Sequence, residues 1–205
     1  RREKATLTLS STPVFLSHWM APRMGELRRL HPDIDLRLHA SDELVELRSG
    51  GIEVAIRYGK GPYPGTSSTP LRDDVFAPVC SPRLGISKLK DLRRATLIHV
   101  DGRTRPRPLP DWRRWCARAG LSEIDAGAGL RLPDSLLATH AAIAGHGVAL
   151  VSLTLVADAL ATGLLESPFK QTLAGETYHF VCAKDVERRP DIVGLRSWLL
   201  RTLQA

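Results

Sequence analysis

The run Thr6-Leu7-Thr8-Leu9-Ser10-Ser11-Thr12-Pro13, followed by apolar residues at Leu16, Met20, Met24 and Leu27, decides the fold. Thr6 to Ser10 alternate polar and apolar side chains as a strand does. Ser11-Thr12-Pro13 then opens a helix, and the apolar series that follows keeps to one helical face. His31-Pro32 ends that helix, because proline disfavours helical geometry in the residue before it. Ile34, Leu36 and Leu38 alternate again as a second strand. Ser41-Asp42 is placed to cap a short helix closing at Gly50-Gly51, and Ile52 to Arg57 reads as a third strand. This β-α-β-α-β order predicts a parallel sheet with right-handed crossovers.

Working outward, residues 59–65 (Gly-Lys-Gly-Pro-Tyr-Pro-Gly) form a loop. Val75 to Cys80 is a strand halted by Ser81-Pro82. A second set of elements follows. Leu97-Ile98-His99-Val100 is strand-like, Arg103 to Pro110 is a proline-broken basic loop, and Asp111 caps a helix carrying Trp112 and Trp115 that Gly120 closes. Leu130-Arg131-Leu132 is a short strand. Pro133-Asp134-Ser135 opens a helix running to about Gly145 or Gly147. Val148 to Val151 is a buried strand, Leu153 to Thr162 a helix with Gly163 as its stop, and Tyr178 to Ala183 a last strand. Pro190 opens a final helix with Ile192, Leu195, Leu199 and Leu203 on one face. The pattern is that of an α/β protein with two Rossmann-like lobes. The first lobe holds 1–81 and 168–205, and 82–167 is inserted as the second. Two chain crossings, near Val79-Cys80 and Pro168, make a two-strand hinge.

The chain has 205 residues, 43% of them hydrophobic, so an ordinary core is available; with aromatics at 5%, aliphatic side chains must fill most of it. The formal charge of +7 is spread along the chain with no dense basic block, which makes it weak evidence for direct DNA binding. Cys80, Cys116 and Cys182 are odd in number and widely spaced, which points away from a disulfide framework and toward a reducing, cytoplasmic setting. No run of ~18 apolar residues is present, and no apolar signal region follows Arg1-Arg2-Glu3-Lys4.

Four segments resemble one family. His31-Pro32-Asp33-Ile34-Asp35-Leu36 is similar to the step after the first helix of LysR-type effector domains. Residues 51–59 (Gly-Ile-Glu-Val-Ala-Ile-Arg-Tyr-Gly) resemble their third strand, Val79-Cys80-Ser81-Pro82 their hinge, and Asp134-Ser135 with residues 141–150 the matching stretch of the second lobe. They occur in the family's order and cover nearly the whole chain. Residues 56–59, Tyr63-Pro64-Gly65 and the Trp112/Trp115 helix are similar to the branch of glycine-cleavage and β-lactamase regulators. The resemblance implies a fold like the type II periplasmic binding proteins, with a small-molecule effector bound between lobes. It also implies a winged helix-turn-helix that this chain lacks, so that DNA is contacted only through that missing domain, and a homodimer of this domain within a full-length homotetramer.

The residues that could read an effector lie at strand carboxyl ends, where ligands collect in open α/β sheets. Ser10, Ser11 and Thr12 stand between strand and helix, where one of them also serves as a helix cap. Asp134 caps the second-lobe helix and sets Ser135 to point a hydroxyl into the cleft, as the resemblance implies; the pair would suit amino-acid-like or peptide-like effectors. Ser41, Arg57 and Tyr58 lie on the same carboxyl edge. Tyr178 matches a pocket tyrosine of the β-lactamase-regulator branch, with sheet packing an equal alternative. His99 ranks below Ser11, Thr12 and Ser135, and a core histidine is its alternative. Ser11, Thr12 and Ser135 are expected to share one pocket with Tyr178 at its edge. His146, in the Gly145-His146-Gly147 turn, carries no catalytic weight.

No nucleophile elbow, zincin helix or phosphate-binding loop occurs, and the 7 histidines lack metal-ligand spacing, so neither a metal, a cofactor nor an enzyme is expected. A solute-binding transport protein shares the two-lobed pattern and is the alternative function. For assembly, Trp19 beside the first-lobe helix seam, and Leu153, Leu155, Val156 and Leu160 in the second lobe, are expected to offer apolar surface to a partner copy. Consumption of both stripes by intrachain cores is the alternative.

Overall fold

The computed structural model describes residues 5–47, 51–101 and 110–204. The chain divides into two units, Arg1–Asp73 with Glu176–Ala205, and Asp74–Gly175. It therefore passes between units twice, inside the long strands β4 (Thr66–Val79) and β8 (Leu173–Ala183). The turn residues that mark strand ends point instead to crossings near Val79-Cys80 and Pro168. A unit boundary in the middle of a strand carries no such signal.

In the first unit, β1 (Ala5–Ser11) pairs in parallel with β2 (Ile34–Ala40) on one side and with β3 (Val54–Gly59) on the other. The parallel order expected from the alternating segments is present. Antiparallel β8 then lies against β3, from Val54 opposite Cys182 to Gly59 opposite Thr177, and β4 follows β8. β1 is buried at Leu7 and Leu9, and β2 alternates buried Ile34 with exposed neighbours.

The helical stretch after β1 is broken into pieces by its own sequence. A short α1 (Pro13–Phe15) leads into a π turn (Leu16–Met20), a 3-10 turn (Ala21–Arg23) and α2 (Met24–Leu30). Pro22 lacks an amide hydrogen and its ring crowds the carbonyl four residues back, so a regular ladder cannot pass it. The helix ends at His31, before Pro32. Phe15, Leu16, Trp19, Met20 and Leu27 are all buried. Trp19 stacks on Phe15 at 5.2 Å and lies 5.8 Å from Trp198 of α6 (Pro190–Gln204). It is 3% exposed, so the expected apolar surplus on this helix is taken up by the unit's own core. The sequence spacing could not show Trp198 arriving from the far end of the chain. Helix α6 buries Ile192, Leu195, Leu199 and Leu203 on the face that the periodicity marks.

The short helix expected after Ser41 is not formed in the described residues 42–47, and its far end, 48–50, lies outside them. The Ser41 hydroxyl instead accepts from the Glu43 amide at 3.1 Å, and the Arg57 guanidinium takes the Val45 carbonyl at 2.9 Å. Both bonds compete with a helical ladder, and Leu44 is 74% exposed, so no apolar face is available to repay one.

In the second unit, the last residues of β4 run antiparallel to β7 (Val148–Ser152), which is parallel to β5 (Leu97–Val100), which is parallel to β6 (Leu130–Leu132). Helix α3 (Trp112–Ala119) begins at the Asp111 cap and ends at Gly120 with φ 72°, as its sequence requires. Trp112 donates its indole N–H to the Ile98 carbonyl and Trp115 to that of Gln171, so both rings are buried with their polar atom satisfied. The basic loop before α3 lies largely outside the described residues.

Helix α4 (Ser135–Ile143) packs Ala138 and Ala142 against a core that includes Val79, Ile98, Ala149 and Val151, and buries Thr139, whose hydroxyl donates to the Ser135 carbonyl. Gly145, at φ 82°, turns the chain back. A side chain at Gly147 would stand 2.3 Å from the Thr96 carbonyl oxygen, so only glycine fits there. Helix α5 is confined to Ala157–Ala161, shorter than the expected Leu153–Thr162, because Leu153–Val156 turn off β7 to bury Leu155 and Val156. Val156 is 1% exposed and, like Trp19, belongs to an intrachain core.

Candidate functional site

Helix starts and strand ends position the predicted polar residues in each unit. In the first, Ser10 and Ser11 close β1 and Thr12 caps α1, its hydroxyl accepting from the Phe15 amide at 3.3 Å. The Ser11 hydroxyl donates to the Ile56 carbonyl at 3.2 Å and its own carbonyl accepts from the Ser41 amide at 2.9 Å, which fastens β1 to β3 and to the end of β2. Ser10 lies 3.1 Å from His39 Nδ1. Ser10 and Ser11 are buried, 3% and 5% exposed; Thr12 is half-buried and keeps its hydroxyl proton for another acceptor. Ser41 is engaged in its local turn with Glu43.

Tyr58 and Tyr178 are opposite each other across β3 and β8, with ring centroids 4.7 Å apart. Tyr178 also meets Phe15 at 5.2 Å and is 5% exposed, so it packs within the sheet's aromatic group. The Tyr58 hydroxyl accepts from the Glu176 amide at 2.9 Å.

Arg57 is separated from this group. Adjacent strand residues face opposite sides of a sheet, so the side on which Tyr58 meets Tyr178 is closed to Arg57. Its guanidinium lies 4.9 Å from the Tyr63 ring centroid, donates to Val45 and borders a cavity of about 660 Å³. Burial lowers its pKa, partly offset by Tyr63, and burial raises that of Tyr63. The cavity's other walls come from Leu44–Leu47, Pro64–Thr66 and Ala183–Asp185. Arg57 and Tyr58 share a strand edge in sequence, which does not reveal these walls; the period of two is the signal that parts them.

In the second unit, Asp134 accepts from the Leu137 amide at 2.8 Å and so caps α4. Ser135 is half-buried at the first helical position, and its hydroxyl has no hydrogen-bond partner among the described residues. His99 bonds the Ala128 carbonyl through Nε2 at 2.8 Å. Ser10, Ser11, Thr12, Ser41, Tyr58 and Tyr178 thus belong to the first unit, with Arg57 on the opposite side of its sheet. His99, Asp134 and Ser135 belong to the second. Among the described residues no group of histidine, cysteine and carboxylate side chains could hold a metal. No helix among them is long and apolar enough to cross a membrane.

Known proteins resemble the chain over this whole span. The family model described as the LysR substrate binding domain matches residues 1–204. The glycine cleavage system transcriptional activator of Escherichia coli (strain K12) is 32% identical over 206 residues, covering 98% of this chain and 66% of that protein. The transcriptional activator AmpR of Rhodobacter capsulatus is 29% identical over 201 residues, covering 97% of this chain and 67% of that protein. The chain therefore spans about two thirds of the length of these relatives. Among solved structures, the effector domain of the regulator AmpR of Pseudomonas aeruginosa superimposes with a TM-score of 0.75 at 26% identity, covering 98% of this chain and 96% of that one.

Proposed function

We propose, for a chain that belongs to the LysR substrate-binding domain family, that it senses a small-molecule effector on behalf of a transcriptional regulator and catalyses nothing. The observation that carries this reading is the likeness to the AmpR effector domain along nearly the full length of both chains. The fold is accordingly the two-lobed, periplasmic-binding-protein-like one that the sequence resemblance implied. The relatives named above are regulators, and none of them supports a transport role.

For the effector itself, the candidate contacts are helix starts taken unit by unit: Thr12, backed by Ser11, in the first, and Ser135 in the second. The support is that Ser135 keeps an uncommitted hydroxyl and Thr12 an uncommitted proton. Tyr178 backs the first of these starts through its contact with Phe15. Asp134 spends its carboxylate on the cap, yet its charge still favours a ligand that carries an ammonium group, such as an amino acid or short peptide. A thermal-shift panel of such metabolites tests this, because a ligand that binds the folded state raises the melting temperature by mass action. A hit whose shift disappears in Ser135→Ala and Thr12→Val supports the site. A hit whose shift survives both substitutions removes it.

The relatives are transcriptional regulators, and we assign specific DNA recognition to residues outside the matched substrate-binding domain. This chain alone should bind duplex DNA weakly, through diffuse positive charge, and lose that binding steeply with added salt. Salt-resistant, sequence-specific binding would contradict this. Assembly of the domain as an isologous dimer needs apolar surface other than Trp19 and Val156. Leu30, 42% exposed at the end of α2, and Leu164, 53% exposed after α5, remain for it. Sedimentation of Leu30→Glu and Leu164→Glu should show a shift to monomer; a wild-type chain already monomeric at working concentration ends the dimer reading.

A further inference from the structure

The cavity beside Arg57 lies wholly within the first unit, and neither Ser11, Thr12 nor Ser135 lines it. At about 660 Å³ it falls in the range of small-molecule sites. Three features set its chemistry. Arg57 has no carboxylate partner among the described residues, and its Nε is buried without an acceptor. The guanidinium is nonetheless held in place, by the Val45 carbonyl and the face of Tyr63, so a ligand meets it already oriented. Beside it stands an apolar wall, with Leu44 at 74% exposure the most uncovered large hydrophobic side chain among the described residues. Lys184 adds a second positive charge to the lining, while Glu46 and Asp185 disfavour a ligand with two negative charges.

We propose that this cavity is a second ligand site, which takes a small monocarboxylate with an apolar body. The carboxylate binds at Arg57 and Lys184, and the body lies against Leu44, Val45 and Pro64. A planar carboxylate matches the guanidinium fork better than it matches a point charge, and covering Leu44 adds apolar burial.

The test is amide NMR on the isotopically labelled chain with hexanoate, hexanol and adipate as probes. Hexanoate should shift the amides of Val45, Thr66 and Lys184 in a saturable way. Hexanol, with the same body and no charge, and adipate, with a second carboxylate, should bind at least about tenfold more weakly, the factor expected for losing or opposing one charge-assisted hydrogen bond. Arg57→Gln should weaken hexanoate by a similar factor. Leu44→Asp, at an exposed position that leaves the fold intact, should do the same. Ser135→Ala should leave hexanoate binding unchanged, which separates this site from the effector reading above. Absence of a saturable shift at these amides would overturn the proposal, as would equal hexanoate affinity in Leu44→Asp and wild type.

Discussion

The two helix starts look alike in sequence, each a short polar step from a strand into a helix, yet the structure builds them differently. At Ser11-Thr12-Pro13 the capping bond uses a hydroxyl, that of Thr12, and Ser11 is spent tying β1 to β3. At Pro133-Asp134-Ser135 a carboxylate caps, which leaves the next residue's hydroxyl uncommitted. The cores behind them differ as well. The first start is backed by large rings, Phe15 and Trp19, which meet Tyr178 and Trp198. The second is backed by Ala138, Thr139 and Ala142, small enough to bring α4 close to its sheet. One start is anchored by bulk and the other by close approach, so the second unit has the freer polar group and the first the heavier packing.

This contrast can be broken most forcefully at Trp19. Trp19→Ala should cost about 3–5 kcal/mol of unfolding free energy, and Trp19→Lys should fail to fold rather than give a folded monomer. Chemical denaturation followed by circular dichroism reads both. A stable, monomeric Trp19→Lys protein would return the ring to an interface. The three cysteines are buried, and burial raises their pKa values, that of Cys80 to about 11 with the Glu166 carboxylate adding to the effect. Their thiols are therefore protonated and unreactive until the chain opens. In Trp19→Ala, iodoacetamide should label Cys182 in the first unit faster, with little change at Cys116 in the second; equal acceleration at both would mean that the units open together.

The second unit should be sensitive in the opposite sense. Ala138→Leu should destabilise by about 1–3 kcal/mol through overpacking beneath α4, read in the same denaturation experiment. A neutral result would show that α4 stands off its sheet. Smaller again is the cap itself. Asp134→Ala and Thr12→Ala should each cost about 1 kcal/mol. Asp134→Asn should recover most of the loss at the second start, because the amide oxygen still accepts from Leu137. Smallest is Ser135→Ala, within about 0.5 kcal/mol of wild type, although it should abolish the thermal shift given by an effector. If Ser135→Ala instead destabilises as much as Asp134→Ala, its hydroxyl is structural and the contrast between the two starts narrows.

Much of this was legible in the chain. Asp111 to Gly120 specifies a helix with both ends marked, and the structure forms that helix. A cap among Ser10, Ser11 and Thr12, which the structure gives to Thr12, the cap at Asp134, the stop at His31-Pro32 and the buried face of α6 are equally local. Each depends on bonds or contacts within a few residues, so the sequence states them directly. That the first three strands run parallel follows from the segments that separate them, whereas their order, with β1 between β2 and β3, is a tertiary outcome. The family resemblance, carried by motifs spread over the chain, supplied the rest of the architecture.

Tertiary structure decided what depended on residues far apart in sequence. Residues 42–47 could have been helical by composition, but the bond from Arg57 to Val45 and the exposure of Leu44 set their conformation. Trp19 read as surplus apolar surface until Trp198 covered it from the other end of the chain. Arg57 and Tyr58 are neighbours in the chain, and the sheet sends them to opposite sides, one to a cavity and the other to a stack of rings. Sequence fixes a local bond through nearby partners, whereas burial, facing and free donors are settled by which distant segment arrives opposite, and only the folded chain brings that segment there.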